Sequence, residues 1–225
     1  MSETTEHTEP GRERDCRGEG STAPPGLAGG RGPAARRAVA EVAPERIETR
    51  ATRLLGVRYP IVQTGMGWVA GARLTAATSA AGGLGVLASA TMSFGELASA
   101  IGRVQGRTGL PFGVNVRADL PDLDRRLELL AGEAIPVVSF AGAPTKRAVE
   151  RLHEAGIVCI STVGARRHAE KVLDWGVDAV IAQGGEGGGH TGSVPTGILV
   201  PDVVDAVGER IPVLAAGGIR DGRGL

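Results

Sequence analysis

The stretch A-V-I-A-Q-G-G-E-G-G-G-H-T-G, residues 179 to 192, decides how the fold is read. It opens as an unbroken apolar run, Ala179-Val180-Ile181-Ala182. Such a run suits a strand of a parallel sheet that is covered on both faces. Through Gln183 it passes into a segment with six glycines. That much glycine weakens a helix or strand interior, so the segment reads as a loop. Gly187 to Gly192 matches G-x-G-x-x-G, yet no helix follows at once, as a dinucleotide fold requires. Gly83-Leu84-Gly85-Val86-Leu87-Ala88 matches the variant G-x-G-x-x-A, but it lies at the entry to a strand and fails the same test. The loop reads instead as backbone that lies against a flat, anionic ligand, with His190 aimed at it.

Working outward, the same pattern recurs. Apolar runs lie at Tyr59–Gln63, Leu84–Leu87, Phe112–Val116, Pro136–Ser139, Ile157–Ile160 and Pro212–Ala215. Helix-like stretches separate them, at residues 70–80, 94–104, 123–130, around Val149 and Leu152, at 166–175 and from Pro201 onward. Each repeat takes roughly 20 to 35 residues, about one (β/α) unit of a barrel. Polar residues cluster where strands end: Gln63, Asn115, Ser139, Thr162 and Gln183. Strand C-termini are where such barrels build their sites. The pattern predicts an α/β chain with the TIM-type (β/α)8 architecture. Only seven strands are counted, and a full barrel takes roughly 250 residues. The expectation is therefore a barrel truncated after the seventh strand, occupying residues 46–225. Residues 1–45 mix Pro, Gly, Arg, Glu, Ser and Thr, with little apolar besides alanine. Such a segment cannot offset its ordering entropy by burial, and it is expected to be a disordered tail.

Composition narrows the function. Basic and acidic residues balance at 25 each, and aromatics make up 3%. Neither nucleic acid nor a membrane surface is an expected partner. The N-terminus lacks the apolar core of a secretory signal, so the cytoplasm is the expected compartment. Of the two cysteines, Cys159 sits in an apolar run and reads as a reduced core residue. No two histidines have metal-ligand spacing, and no metal is expected. His153 and His168 fall in helical stretches and read as surface residues. Ala216-Gly217-Gly218-Ile219, after the seventh run, has the composition of a phosphate-binding turn. His190 leaves a strand C-terminus, and an imidazole's ordinary pKa of about 6.5 suits proton transfer. Glu186 reads as a second acid/base or, in the plainer reading, as a solvated or loop-bracing carboxylate. The only lysines, Lys146 and Lys171, lie in helical stretches, which argues against an aldolase-type barrel.

Five motifs occur in order: Y-P-I-V-Q-T-G-M (59–66), A-G-G-L-G (81–85), G-V-N (113–115), Q-G-G-E-G-G-G-H-T-G (183–192) and A-A-G-G-I (215–219). Together they resemble the nitronate monooxygenase family, formerly called 2-nitropropane dioxygenases. The resemblance runs from about Arg46 to the last residue. It implies a barrel that carries FMN and oxidises alkyl nitronates with dioxygen to a carbonyl compound and nitrite. It implies that the backbone at Thr64, Gly65 and Met66 faces the flavin ring. Gln63, Asn115 and Gln183 would line the FMN pocket, Gly184 and Gly185 would continue its wall, and Gly217 and Gly218 would hold the phosphate. His190 matches the family's active-site histidine. Two departures are Gly188, where the family often has Ala, and Thr64, where it commonly has Gly. The alternatives are an NAD(P)H-dependent flavin enoyl-acyl-carrier-protein reductase, which is a related barrel, and an inactive truncated fragment. The expected partners are a small-molecule substrate and dioxygen, with a second copy or a complementing chain to cover open sheet edges.

Overall fold

The computed structural model describes residues 46–189 and 192–224. The expected tail, residues 1–45, and His190 lie outside the described residues. Among the described residues, seven helices and seven strands alternate: α1 (Arg50–Leu55), β1 (Val62–Gln63), α2 (Ala72–Ala80), β2 (Leu84–Ala88), α3 (Phe94–Gln105), β3 (Phe112–Arg117), α4 (Leu123–Gly132), β4 (Val137–Ala141), α5 (Lys146–Glu154), β5 (Val158–Val163), α6 (Arg166–Asp174), β6 (Ala179–Gln183), α7 (Thr196–Val207) and β7 (Val213–Ala216). The strands form one sheet in the order β1-β2-β3-β4-β5-β6-β7. Every neighbouring pair is parallel. Sequential parallel order with a helix after each strand is the architecture of a TIM-type barrel, here carried through seven strands.

Two apolar layers sandwich the sheet, which explains why its strands read as continuous runs. Leu87, Val114, Val116, Val138, Phe140, Cys159, Val180 and Ala182 pack outward against the helices. Leu84, Val86, Val137, Ile160, Ala179 and Ile181 point the other way, into the barrel interior. Leu55 and Val57, from α1 and the turn after it, join that inner layer. Phe140, Leu84, Leu87 and Ile160 are among the largest fully buried side chains. Each such burial stabilises the fold by about 1.5–3 kcal/mol. The inner layer becomes polar towards the strand C-termini. By strand alternation, Asn115 follows Gly113, Ser139 follows Val137, and Gln183 follows Ile181 on the inner face.

Local signals set the helix ends. Ser93 and Glu96 form a capping box on α3, and Thr145 caps α5. Two boundaries differ from the sequence expectation. The short helix α1 was not expected; its capping box uses Thr49 and Thr52, and its C-cap Gly56 takes φ +67°. Helix α7 starts at Thr196, before Pro201, which lies inside it. Its tolerance there is consistent with Gly197 at the carbonyl that a proline ring would crowd. No helix among the described residues is long and apolar enough to cross a membrane.

Candidate functional site

The residues singled out from sequence gather in two clusters at the C-terminal edge of the sheet. The first lies on β1 and β3. A Cβ added to Gly65 would sit 2.5 Å from the Cβ of Asn115. Only glycine lets the β1 loop come that close. Asn115 is 9% exposed and firmly held. Its Nδ2 donates to the Ser139 carbonyl at 3.1 Å. Its own carbonyl accepts from the Ser89 N–H at 3.2 Å and the Ser89 hydroxyl at 2.7 Å. Gln63 Nε2 donates to the Val86 carbonyl at 3.0 Å and also to the Thr64 carbonyl. Gln63 Oε1 is buried with no hydrogen-bond partner among the described residues. A buried acceptor left open in this way is a place for a ligand N–H. Thr64 and Met66 are exposed beside it.

The second cluster joins the loops after β6 and β7, and its hub is Thr196, the first residue of α7. A Cβ on Gly184 would lie 2.2 Å from Thr196 Oγ1, and one on Gly217 would lie 2.6 Å from the same atom. The Gly184 N–H donates to the Ala216 carbonyl at 2.9 Å, so the two glycine loops continue the strand pairing. Gly185 N–H reaches the Val194 carbonyl at 2.9 Å. Gln183 Nε2 donates to the Gly188 carbonyl at 3.1 Å and holds the loop back towards its strand. Gly217 and Gly218 have φ of +110° and +74°, a left-handed pair that side-chain-bearing residues resist. Among the described residues, neither of their N–H groups has an acceptor. Positive-φ glycines with open N–H groups have the chemistry of an anion cradle.

Of the readings open for Glu186, the structure favours the loop-bracing one. Its Oε2 accepts from both the N–H and the hydroxyl of Thr196, each at 2.8 Å. The backbone and side-chain hydrogen bonds from Thr196 hold its carboxyl below the usual range. The carboxylate therefore sits on the N-terminus of α7, where an anion is favoured. Thr196 is not among the residues the sequence singles out, because the sequence pattern places the start of this helix at Pro201. The signal was present: a Thr two residues before the apolar run Ile198-Leu199-Val200.

A different group lies at the opposite, N-terminal ends of the strands. His153 Nε2 is 2.9 Å from Asp178 Oδ2, which also accepts the Cys159 N–H at 2.7 Å. Ligand atoms of His153, Cys159 and Asp178 lie within 4.8 Å of one another. Their polar atoms already bond to one another and to the backbone. Cys159 is buried and unpaired. Burial first, and then the nearby Asp178 charge, push its thiol pKa up to about 12. His153 and His168 are exposed, as expected.

The site residues fit a phosphorylated flat cofactor. Gly217 and Gly218 offer an anion cradle, Gln63 Oε1 an open acceptor, and Gly65, Gly184 and Gly185 a backbone without side chains in the way. Comparison with known proteins gives the family. The family model described as "Nitronate monooxygenase" matches residues 48–125 and 122–225. The chain belongs to the nitronate monooxygenase family. It is 59% identical over 181 residues to the (3aS,4S,5R,7aS)-5-hydroxy-7a-methyl-1-oxo-octahydro-1H-indene-4-carboxyl-CoA dehydrogenase of Mycobacterium tuberculosis. That match covers 80% of this chain and 51% of the relative, so the chain spans about half of that protein's length. Among solved structures, FabK from Thermotoga maritima matches with a TM-score of 0.76 and 43% identity, over 79% of this chain and 57% of that one. The nitroalkane oxidase from Streptomyces ansochromogenes matches with a TM-score of 0.70 and 34% identity, over 76% and 61%.

Proposed function

We propose that residues 46–225 form the FMN-binding part of an oxidoreductase that acts on the CoA thioester of an alicyclic carboxylic acid, in the cytoplasm. The flavin reading rests on one observation above all. Two glycine loops meet at Thr196, and the second ends in the left-handed pair Gly217 and Gly218. In this reading those two glycines hold the FMN phosphate. Gln63, Asn115 and Gln183 orient the ring, Thr64, Gly65 and Met66 present backbone to it, and Gly184 and Gly185 form the wall beside it. Bound FMN supplies the two-electron acceptor that no side chain of this chain provides. His190, seven residues after Gln183 in the sequence, takes the proton that leaves the substrate on oxidation. Gln63 Oε1 accepts a ligand hydrogen bond, and the Gly65–Asn115 contact fixes how closely the β1 loop approaches. The substrate class is supported by the 59% identity to a carboxyl-CoA dehydrogenase.

A second reading is FMN-dependent oxidation of alkyl nitronates by dioxygen to carbonyl compound and nitrite. The family and the 34% identity to a nitroalkane oxidase favour it. Reduction of an enoyl thioester with NAD(P)H is favoured by the likeness to FabK. In all three readings residues 46–225 form the catalytic unit, and a second copy or a complementing chain covers the edges of β1 and β7.

The test is the visible spectrum of the purified chain, followed by substrate assays. Flavin bands that release FMN on denaturation support the cofactor. Anaerobic bleaching of those bands by an alicyclic carboxyl-CoA, lost in His190→Asn, supports the first reading. Nitrite from a nitronate with no response to thioesters replaces it by the second. NAD(P)H oxidation that requires an enoyl thioester selects the third. A colourless chain that takes up no added FMN overturns the cofactor assignment.

A further inference from the structure

The β1–α2 loop displays an aromatic residue that the fold does not use. Trp68 is 91% exposed, and its neighbours Val69 and Met66 are 62% and 38% exposed. Tryptophan normally contributes a large apolar area to a core. Here it contributes none. The backbone of Trp68 also stands at φ +60°, one of two non-glycine residues in the left-handed region among those described. A bulky residue there is strained, and such strain persists only where the surroundings enforce it.

The surroundings do enforce it. Val69 N–H and Ala70 N–H both donate to the Met66 carbonyl, at 3.1 and 2.8 Å. Gly71 N–H donates to the Val69 carbonyl at 2.9 Å. Ala70 is 1% exposed, and its carbonyl accepts from Ala88 at the end of β2 at 3.0 Å. A Cβ on Gly67 would lie 3.0 Å from Thr91 Cγ2, so the turn is packed on that side as well. The turn is thus a fixed mount that holds an indole out into solvent. It directly follows Thr64, Gly65 and Met66, on the face where barrels bind substrate. From Thr64 to Ala72 there is no charged residue. A surface of this composition suits hydrocarbon and offers no charged side chain to a phosphate or carboxylate.

We infer that Trp68, with Val69 and Met66, is the subsite for the apolar acyl body of the thioester substrate, stacking its ring system against the indole at the mouth of the site. The inference rests on the carboxyl-CoA reading above and specifies which part of that substrate this loop takes. Residues 64–72 recognise the alicyclic group, and the CoA portion is held elsewhere.

The chain has two tryptophans, Trp68 and Trp175. A Trp175→Phe variant therefore makes emission report on Trp68 alone, with or without FMN. The probes are cyclohexanecarboxyl-CoA, acetyl-CoA and free CoA. The expected result is a saturable blue shift with cyclohexanecarboxyl-CoA and little change with the other two. In an otherwise unaltered chain, Trp68→Gly should weaken cyclohexanecarboxyl-CoA binding by about tenfold, as loss of a stacking anchor does. Its thermal midpoint should be unchanged or higher, since glycine adopts φ +60° freely. That combination separates loss of a contact from loss of the fold. Equal affinity of wild type and Trp68→Gly for cyclohexanecarboxyl-CoA, with no shift, overturns the subsite and leaves the carboxyl-CoA reading standing. Absence of any thioester binding overturns both. A blue-shifted Trp68 without ligand, in a dimer that Trp68→Gly dissociates, overturns the subsite in favour of a protein-contact surface.

Discussion

Gly65 lies so close to Asn115 that a Cβ on it would stand 2.5 Å from the Cβ of Asn115. Asn115 cannot give way easily, because its amide is tied to the Ser139 carbonyl and its own carbonyl to Ser89. Gly65→Ala should therefore push the β1 loop away from β3. An overpacked site of this kind costs about 1–3 kcal/mol. Chemical denaturation should show that loss, and equilibrium dialysis should show weaker FMN retention.

Gly217 meets a stricter limit, since its φ of +110° and its 2.6 Å approach to Thr196 Oγ1 both oppose a side chain. Gly217→Ala should lower stability by about 1–3 kcal/mol and release FMN on gel filtration. A stable variant that keeps its flavin would show that the phosphate is held elsewhere.

Glu186 links pH to the β6 loop. Its folded pKa lies below the ordinary value of 4.5, because it accepts two hydrogen bonds from Thr196. A lowered carboxyl pKa stabilises the fold above the unfolded pKa, and that contribution is lost as pH falls through the folded pKa. Glu186→Gln should melt at a lower temperature than wild type at pH 7. The gap between the two melting curves should close as the pH drops below about 4.5.

Arg126 is 4% exposed and serves three acceptors: Asp122 Oδ2 at 2.9 Å, the Ser89 carbonyl at 3.1 Å and the Met92 carbonyl at 2.8 Å. It ties the loop after β2 to α4. Arg126→Met leaves those acceptors without their donor and should cost about 3 kcal/mol, measured by urea unfolding. Because Ser89 also holds Asn115, flavin binding should weaken in the same variant.

With its pKa pushed to about 12, the Cys159 thiol stays protonated at pH 8. The thiolate is the reactive form. Peptide mapping should find Cys159 unalkylated after iodoacetamide treatment of the native chain and fully alkylated in denaturant.

The seven strands were legible because parallel strands covered on both faces leave unbroken apolar runs, as in Ala179–Ala182 and Val137–Val138. The polar strand ends, Asn115 and Gln183, were legible as positions, but their contacts were not. Gly65 and Asn115 are 50 residues apart, and no local pattern announces such an approach. Helix α1 went unseen because it is 6 residues long and is ordered by its cap and by contacts far along the chain. The start of α7 was misplaced because proline is a common first helical residue, and here it sits further in. Nor could the sequence show that Trp68 would stand in solvent, since an aromatic in an apolar stretch is ordinarily expected inside.

One of those distant contacts bears on how the molecule forms. Arg50 donates to the carbonyls of Gly208 and Arg210, about 160 positions downstream, the latter at 2.7 Å. Each strand needs only its predecessor to pair with, so the sheet can grow in step with synthesis at the ribosome. The first helix cannot. Its anchor points do not exist until the chain has been made as far as Arg210, just before β7, and until then Leu55 and Val57 have only part of their apolar surroundings. Among the described elements, the earliest to emerge is thus among the last to find its place against the inner layer of the sheet.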